Sequence, residues 1–118
     1  MIKRSVIFDY AKKEFGIIPD YPFYKFPHYA VLRHPDDGKW FGLVMDVAKN
    51  KLNLKGEGSV DIIDIKCETH KVDYLKSKSG FRPAYHMNKE HWLTVLLDGS
   101  VSTSEIFDLL NESYDLTK

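Results

Sequence analysis

The sequence is poor in cysteine: Cys67 is the only one in 118 residues, so the chain cannot form an internal disulfide. Its amino terminus, MIKRSVIFDY, lacks the apolar stretch and the small-residue cleavage site of a secretory signal peptide. No part of the chain reaches the run of about 20 apolar residues that a transmembrane helix needs. We therefore expect a cytoplasmic protein with no membrane partner.

An excess of one charge is also missing, because 17 basic residues balance 17 acidic ones. This removes the simplest basis for nucleic-acid binding, an overall attraction to phosphate. The charges are nevertheless unevenly placed, since residues 47–56 and 75–89 contain no acid. Lysines in surface loops are usually only solvated, but two projecting basic loops can straddle a phosphate backbone. The candidate nucleic-acid-binding residues are Lys49, Lys51, Lys55, Lys76, Lys78, Arg82 and Lys89.

The composition predicts one folded domain over residues 1–118. Hydrophobic residues make up 43% of the chain and aromatic residues 14%, enough to form a core at this length. No internal repeat, low-complexity tract or linker divides the sequence.

Two helices are predicted at the ends of the chain. Ile2–Phe15 carries apolar residues at helical spacing, and Gly16 follows as a stop signal. Near the other end, Ser102 and Glu105 have the spacing of a capping box ahead of a second amphipathic run. A short helix is predicted between them over residues 68–78, with Gly80 as the cap residue beyond its end.

Strands are predicted between these helices. Residues 29–34 and 40–47 form a hairpin around a Pro-Asp-Asp-Gly turn, residues 60–67 form a central strand covered on both faces, and residues 92–97 form another strand. Alternation places four residues of the second run on the core face, namely Phe41, Leu43, Met45 and Val47. The Pro-rich connection of residues 17–27 is expected to be extended and packed by its aromatic side chains.

The stretch of residues 80–92, GFRPAYHMNKEHW, is the richest in chemically useful side chains. His86 and His91 lie five positions apart in the sequence, whereas a zinc-binding helix needs two histidines one turn apart. Cys67 and His70 make one C-x-x-H pair without a second. We expect no metal and no cofactor. A candidate polar cluster for a small ligand consists of Tyr85, His86, Asn88 and His91.

No catalytic residue can be named. Cys67 lies in an apolar strand, where burial raises a thiol pKa rather than lowering it, and no serine occupies a G-x-S-x-G elbow. Asp61 and Asp64 point to opposite faces of a regular strand, so they cannot act as a carboxylate pair. We expect a protein without enzymatic activity.

The sequence resembles the MmcQ/YjbR family of small bacterial proteins over nearly its whole length. The matching segments include WFGLV at residues 40–44, VDIIDIKC at 60–67, AYHMNK at 84–89 with HW at 91–92, and ESY at 112–114. The resemblance implies a two-layer α+β sandwich in the order α-β-β-β-α-β-β-α, like that of secretion chaperones, with a strand between Arg82 and Met87. It also implies double-stranded DNA binding through two wing-like projections, which here are the two basic stretches.

Three functions remain open. The first is a non-enzymatic, monomeric DNA-binding protein. The second is a protein-interaction module using the aromatic residues 21–29, and the third is a small-ligand site or enzyme around His86, Asn88 and His91. The third requires at least three of the polar cluster side chains to converge on one pocket.

Overall fold

The computed structural model describes residues 1–118 and contains three helices and five strands. The helices are α1 (Arg4–Phe15), α2 (Thr69–Leu75) and α3 (Thr103–Leu116). The strands are β1 (Ala30–Arg33), β2 (Trp40–Ala48), β3 (Ser59–Lys66), β4 (Phe81–Pro83) and β5 (Trp92–Leu96). A single 3-10 turn, Lys49–Leu52, follows β2. Apart from this turn, the order of helices and strands is the predicted one.

The five strands form one antiparallel sheet in the order β1-β2-β3-β5-β4. The α+β fold is thereby confirmed, and so is the central place of β3. None of the helices has the length and apolar content needed to cross a bilayer.

The two faces of the sheet are covered differently. Alternate residues of β3, Ile63 and Ile65, pack in a core to which all three helices contribute. Ile62 belongs to a second, smaller core on the opposite face. None of the three helices contributes to this second core, so loop and turn residues cover the sheet on that face. Half-buried side chains that pack against this second core include Phe23, Trp40, Leu54, Tyr85 and Met87.

The prediction that Phe41 shares a face with Leu43 was wrong. The β1–β2 register shifts between Leu32, which lies opposite Gly42, and Arg33, which lies opposite Trp40. This irregularity turns Phe41 toward the helices, where its ring centroid is 5.0 Å from that of Tyr114. The other three residues keep the predicted common face in the second core, namely Leu43, Met45 and Val47.

The helix ends were predicted with mixed success. Gly16 adopts the left-handed conformation at φ 70° and closes α1, and the Ser102 side chain accepts a hydrogen bond from the Glu105 amide. Gly80 is not the cap of α2, because that helix ends at Leu75. Gly80 is needed for another reason: its φ is 89°, and a Cβ there would lie 2.4 Å from Val101 Cγ2.

Two loops depart in part from expectation. The connection after α1 runs along the outer edge of β1, where Asp20 and Val31 exchange two backbone hydrogen bonds. Phe23 packs as predicted, but the Tyr24 side chain is 96% exposed. The strand implied between Arg82 and Met87 stops at Pro83, and the following residues form a loop up to β5.

Candidate functional site

A groove of about 390 Å³ lies between the 3-10 turn after β2 and the loop that follows β4. Three cations line it, Lys51, Arg82 and Lys89, together with the side chains of Tyr85 and His86. No aspartate or glutamate is among its lining residues. The groove is therefore electropositive although the whole chain is formally neutral.

Local backbone geometry shapes both walls. On one side Asn53, at φ 56°, ends the 3-10 turn that carries Lys51. On the other, β4 ends at Pro83, and His86 takes a left-handed conformation at φ 64°. Positive φ is uncommon for residues other than glycine, and such strain concentrates at ligand-binding sites. The backbone thus turns the Tyr85–His86 pair toward the groove, with ring centroids 4.0 Å apart.

Arg82 joins the two walls. Its Nε donates a hydrogen bond to the Leu52 carbonyl at 2.8 Å, and its Nη1 donates to the Phe81 carbonyl at 2.7 Å. Because the guanidinium is planar and its donors are fixed, these two bonds hold the side chain in one orientation. Its Nη2 lies in the same plane and makes no hydrogen bond to the protein.

The other predicted cations lie elsewhere. Lys49 lines a separate cleft beside Arg4, Asp61 and Asp98. Lys76 pairs with Asp73 at 3.2 Å, and Lys55 lies exposed in the loop before β3. Lys78 Nζ stands 4.3 Å from the centre of the Tyr74 ring, in a cleft that also contains Glu105. The structure thus brings three of the seven predicted cations together.

The candidate polar cluster is divided in the same way. Tyr85 and His86 line the groove, but Asn88 and His91 do not. Asn88 Oδ1 accepts hydrogen bonds from the backbone amides of Glu90 and His91, at 2.8 and 3.1 Å. His91 Nδ1 lies 3.4 Å from Thr69 Oγ1 at the start of α2. Fewer than three of the four converge, so the geometric requirement for a small-ligand site is not met by this set.

Asp64 is a buried acidic side chain that the sequence reasoning did not select. It lies on the loop-covered face of β3, whereas the half-exposed Asp61 lies on the other face. Its Oδ1 accepts a 2.5 Å hydrogen bond from Thr94 Oγ1, and its Oδ2 has no partner. Burial raises the pKa of the carboxyl to about 7, against lowering by Thr94 and Lys89. The sequence does contain a signal for this burial, because Asp64 shares a strand face with Ile62 in a strand predicted to be covered on both faces.

Thr94 connects this buried carboxyl to the groove. The same Thr94 oxygen that donates to Asp64 accepts a hydrogen bond from the Tyr85 backbone amide at 2.9 Å. A continuous hydrogen-bonded path therefore runs from the interior of β3 to the backbone of the groove wall.

Cys67 and His70 do not form a site together. Cys67 is 2% exposed, and burial raises its thiol pKa to about 11. The His70 side chain is exposed and lies 3.7 Å from Glu68. No group of three or more histidine, cysteine, aspartate or glutamate side chains is placed to hold a metal ion.

The sequence is similar to those of two uncharacterized bacterial proteins. The chain is 42% identical to the uncharacterized protein YyaQ of Bacillus subtilis over 118 residues, covering all of both chains. It is 40% identical to the uncharacterized protein YjbR of Escherichia coli over 53 residues, which are 44% of this chain and 45% of that one.

Two solved structures have the same fold as this chain. A crystal structure of a Pseudomonas syringae protein superposes with a TM-score of 0.96 at 46% identity, covering 99% of this chain and all of the other. A Deinococcus radiodurans protein shares the fold, with a TM-score of 0.68 at 24% identity over 96% of this chain and 73% of that one. The YjbR family model matches residues 15–116. The chain belongs to the YjbR family.

Proposed function

We propose that this protein binds double-stranded DNA through the groove formed by Lys51, Arg82 and Lys89, without catalysing a reaction. The observation that carries the proposal is the clustering of these three cations, from two distant parts of the chain, in a groove whose lining includes no carboxylate. Phosphate is the ligand such a site favours, because cations neutralise it and counterions are released from the polymer.

The charge distribution supports one binding orientation. The acidic residues of α3, among them Glu105 and Glu112, belong to the helix that packs on the other face of the sheet. The groove is built on Leu52 and Tyr85, which belong to the loop-covered face. A duplex approaching the groove thus meets the cations first and keeps away from the acidic helix.

Salt dependence tests this proposal. Three phosphate contacts predict that the logarithm of the binding constant falls with the logarithm of salt concentration at a slope of about −3. Fluorescence anisotropy of a labelled duplex, measured at several salt concentrations, gives that slope. Absence of binding at the lowest salt overturns the proposal.

A second function is favoured by a different surface. The connection between α1 and β1 exposes four large apolar side chains, Ile18 at 70%, Tyr21 at 52%, Tyr24 at 96% and Phe26 at 50%. Exposed apolar groups of this size are typical of protein contact sites. Light scattering over a range of concentrations tests the self-associating form of this hypothesis. We expect a monomer, and a concentration-dependent dimer that Tyr24→Ser abolishes would instead favour the interaction module.

A further inference from the structure

The groove is connected through hydrogen bonds to a buried ionisable group, Asp64, which does not itself contact the groove. Asp64 is fully buried, with one carboxyl oxygen held by Thr94 and the other without a partner. Thr94 in turn anchors the Tyr85 amide in the groove wall. A buried carboxylate with an unpaired oxygen is costly, whereas the protonated acid is not charged. The interior therefore holds a group with two accessible protonation states directly behind the groove.

We propose that occupation of the groove by phosphate is coupled to uptake of one proton by Asp64, so that the protein binds DNA more tightly as the pH falls through neutrality. This inference rests on the function proposed above and adds a regulatory property to the same site.

The groups nearest Asp64 fix the direction of the coupling. On its own strand Lys66 shares its face and is half-buried. From β5 comes the neutral Thr94, and from the loop after β4 comes the Lys89 ammonium. Among the groove cations, Lys89 is the one whose charge lowers the pKa of Asp64.

Tyr29, in the segment before β1, also faces this region. Its pKa is raised by burial and then by Tyr85, Asp46 and Asp64. Because that phenol stays neutral well above neutral pH, it does not titrate in the range where Asp64 does. The charge that phosphate can alter near Asp64 is therefore that of Lys89.

Phosphate in the groove acts on Asp64 through Lys89, whose charge lowers the pKa of the carboxyl from a distance. When a phosphate oxygen pairs with the ammonium, the positive field that favours the Asp64 carboxylate is neutralised, and the added negative charge disfavours it further. The pKa of Asp64 is then higher in the complex than in the free protein, and a proton from solvent converts the carboxylate to the acid. By linkage, this proton uptake strengthens binding at lower pH. We therefore expect about threefold to tenfold tighter binding below the free-state pKa of Asp64 than above its bound-state pKa.

His86 needs separate treatment, because it lines the groove and histidine is the side chain that most often titrates near neutral pH. The test is therefore made in a His86→Gln background. Binding of a labelled duplex is measured from slightly acid to slightly alkaline pH at constant low salt, for His86→Gln and for His86→Gln with Asp64→Asn. The amide introduced by Asp64→Asn does not titrate in this range, so the double variant reports the groove without the coupled group.

We expect His86→Gln to lose affinity about threefold to tenfold as the pH rises through neutrality, and the double variant to show a flat profile. Equal pH slopes in the two variants overturn the coupling and leave the proposed function standing. Absence of duplex binding at every pH overturns the proposed function and the coupling with it.

A second measurement does not require the Asp64 variant to fold. The carboxyl carbon of Asp64 is titrated by NMR in His86→Gln, first alone and then with saturating duplex. The coupling predicts that the midpoint moves to higher pH when duplex is added. A midpoint that stays in place overturns the inference even if the duplex binds.

Discussion

The buried carboxyl of Asp64 makes the stability of the fold depend on pH. Its carboxyl is fully buried and has a pKa of about 7, against an ordinary value of 3.8. Between these values the unfolded chain is ionised while the folded chain keeps its proton. Stability is therefore greatest below about pH 4 as far as this group is concerned, and it is lost as the pH rises to about 7.

The substitution Asp64→Asn removes this pH dependence. We predict that the difference in unfolding free energy, variant minus parent, rises by about 2 to 4 kcal/mol between acid and mildly alkaline pH. Urea unfolding at the two pH values measures it. Asp61→Asn is the matched control, because Asp61 lies half-exposed on the other face of the same strand and pairs with Arg4 at 2.9 Å. A difference for Asp64→Asn that does not change with pH would contradict this account.

Cys67 illustrates the opposite outcome, a residue that its surroundings keep inert. Burial raises its thiol pKa to about 11, so little reactive thiolate is present at neutral pH. We predict that an aromatic disulfide reagent labels the folded protein at least about a hundredfold more slowly than the urea-unfolded protein at the same pH. Similar labelling rates in the two states would show that the strand end around Cys67 opens readily.

At the scale of elements, α3 begins with an N-terminal cap, Ser102, that the sequence predicts. Ser102 Oγ accepts a hydrogen bond from the Glu105 amide at 3.2 Å, which satisfies one of the unpaired amides of the first turn. We predict that Ser102→Ala lowers the unfolding free energy by about 1 kcal/mol. Ser5→Ala is the control, because Ser5 is an exposed serine of α1 whose side chain makes no hydrogen bond. Equal effects of the two substitutions in urea unfolding would argue against the cap.

Elements set by nearby residues could be predicted from the sequence, while those set by distant contacts could not. The end of α1 at Gly16 and the start of α3 at Ser102 depend on signals within one turn. The position of Phe41 depends instead on a register shift against β1, and the role of Gly80 on contact with Val101. Alternation alone cannot reveal either, because both depend on which strand or loop lies alongside.

At the scale of the molecule, the candidate site also depends on contacts between distant parts of the chain, which the sequence does not show. The sequence identified seven cations in two acid-free stretches, but not the carboxylates that the fold brings near them. Lys49 shares its cleft with Asp61 and Asp98, and Lys76 pairs with Asp73. The groove emerges only where the turn after β2 and the loop after β4 meet over the loop-covered face of the sheet, next to the hydrogen bond from Arg82 to the Leu52 carbonyl. A neutral chain can thereby present one electropositive surface.

The most direct test compares two double substitutions that remove the same charge. Lys51→Gln with Lys89→Gln removes two cations from the groove, and Lys12→Gln with Lys13→Gln removes two exposed cations from α1. Labelled-duplex anisotropy should show that the groove variant loses at least about tenfold in affinity and that its salt slope shrinks by about 2. The α1 variant should stay within about twofold of the parent at the same salt. Equal losses in the two variants would contradict a binding site in the groove.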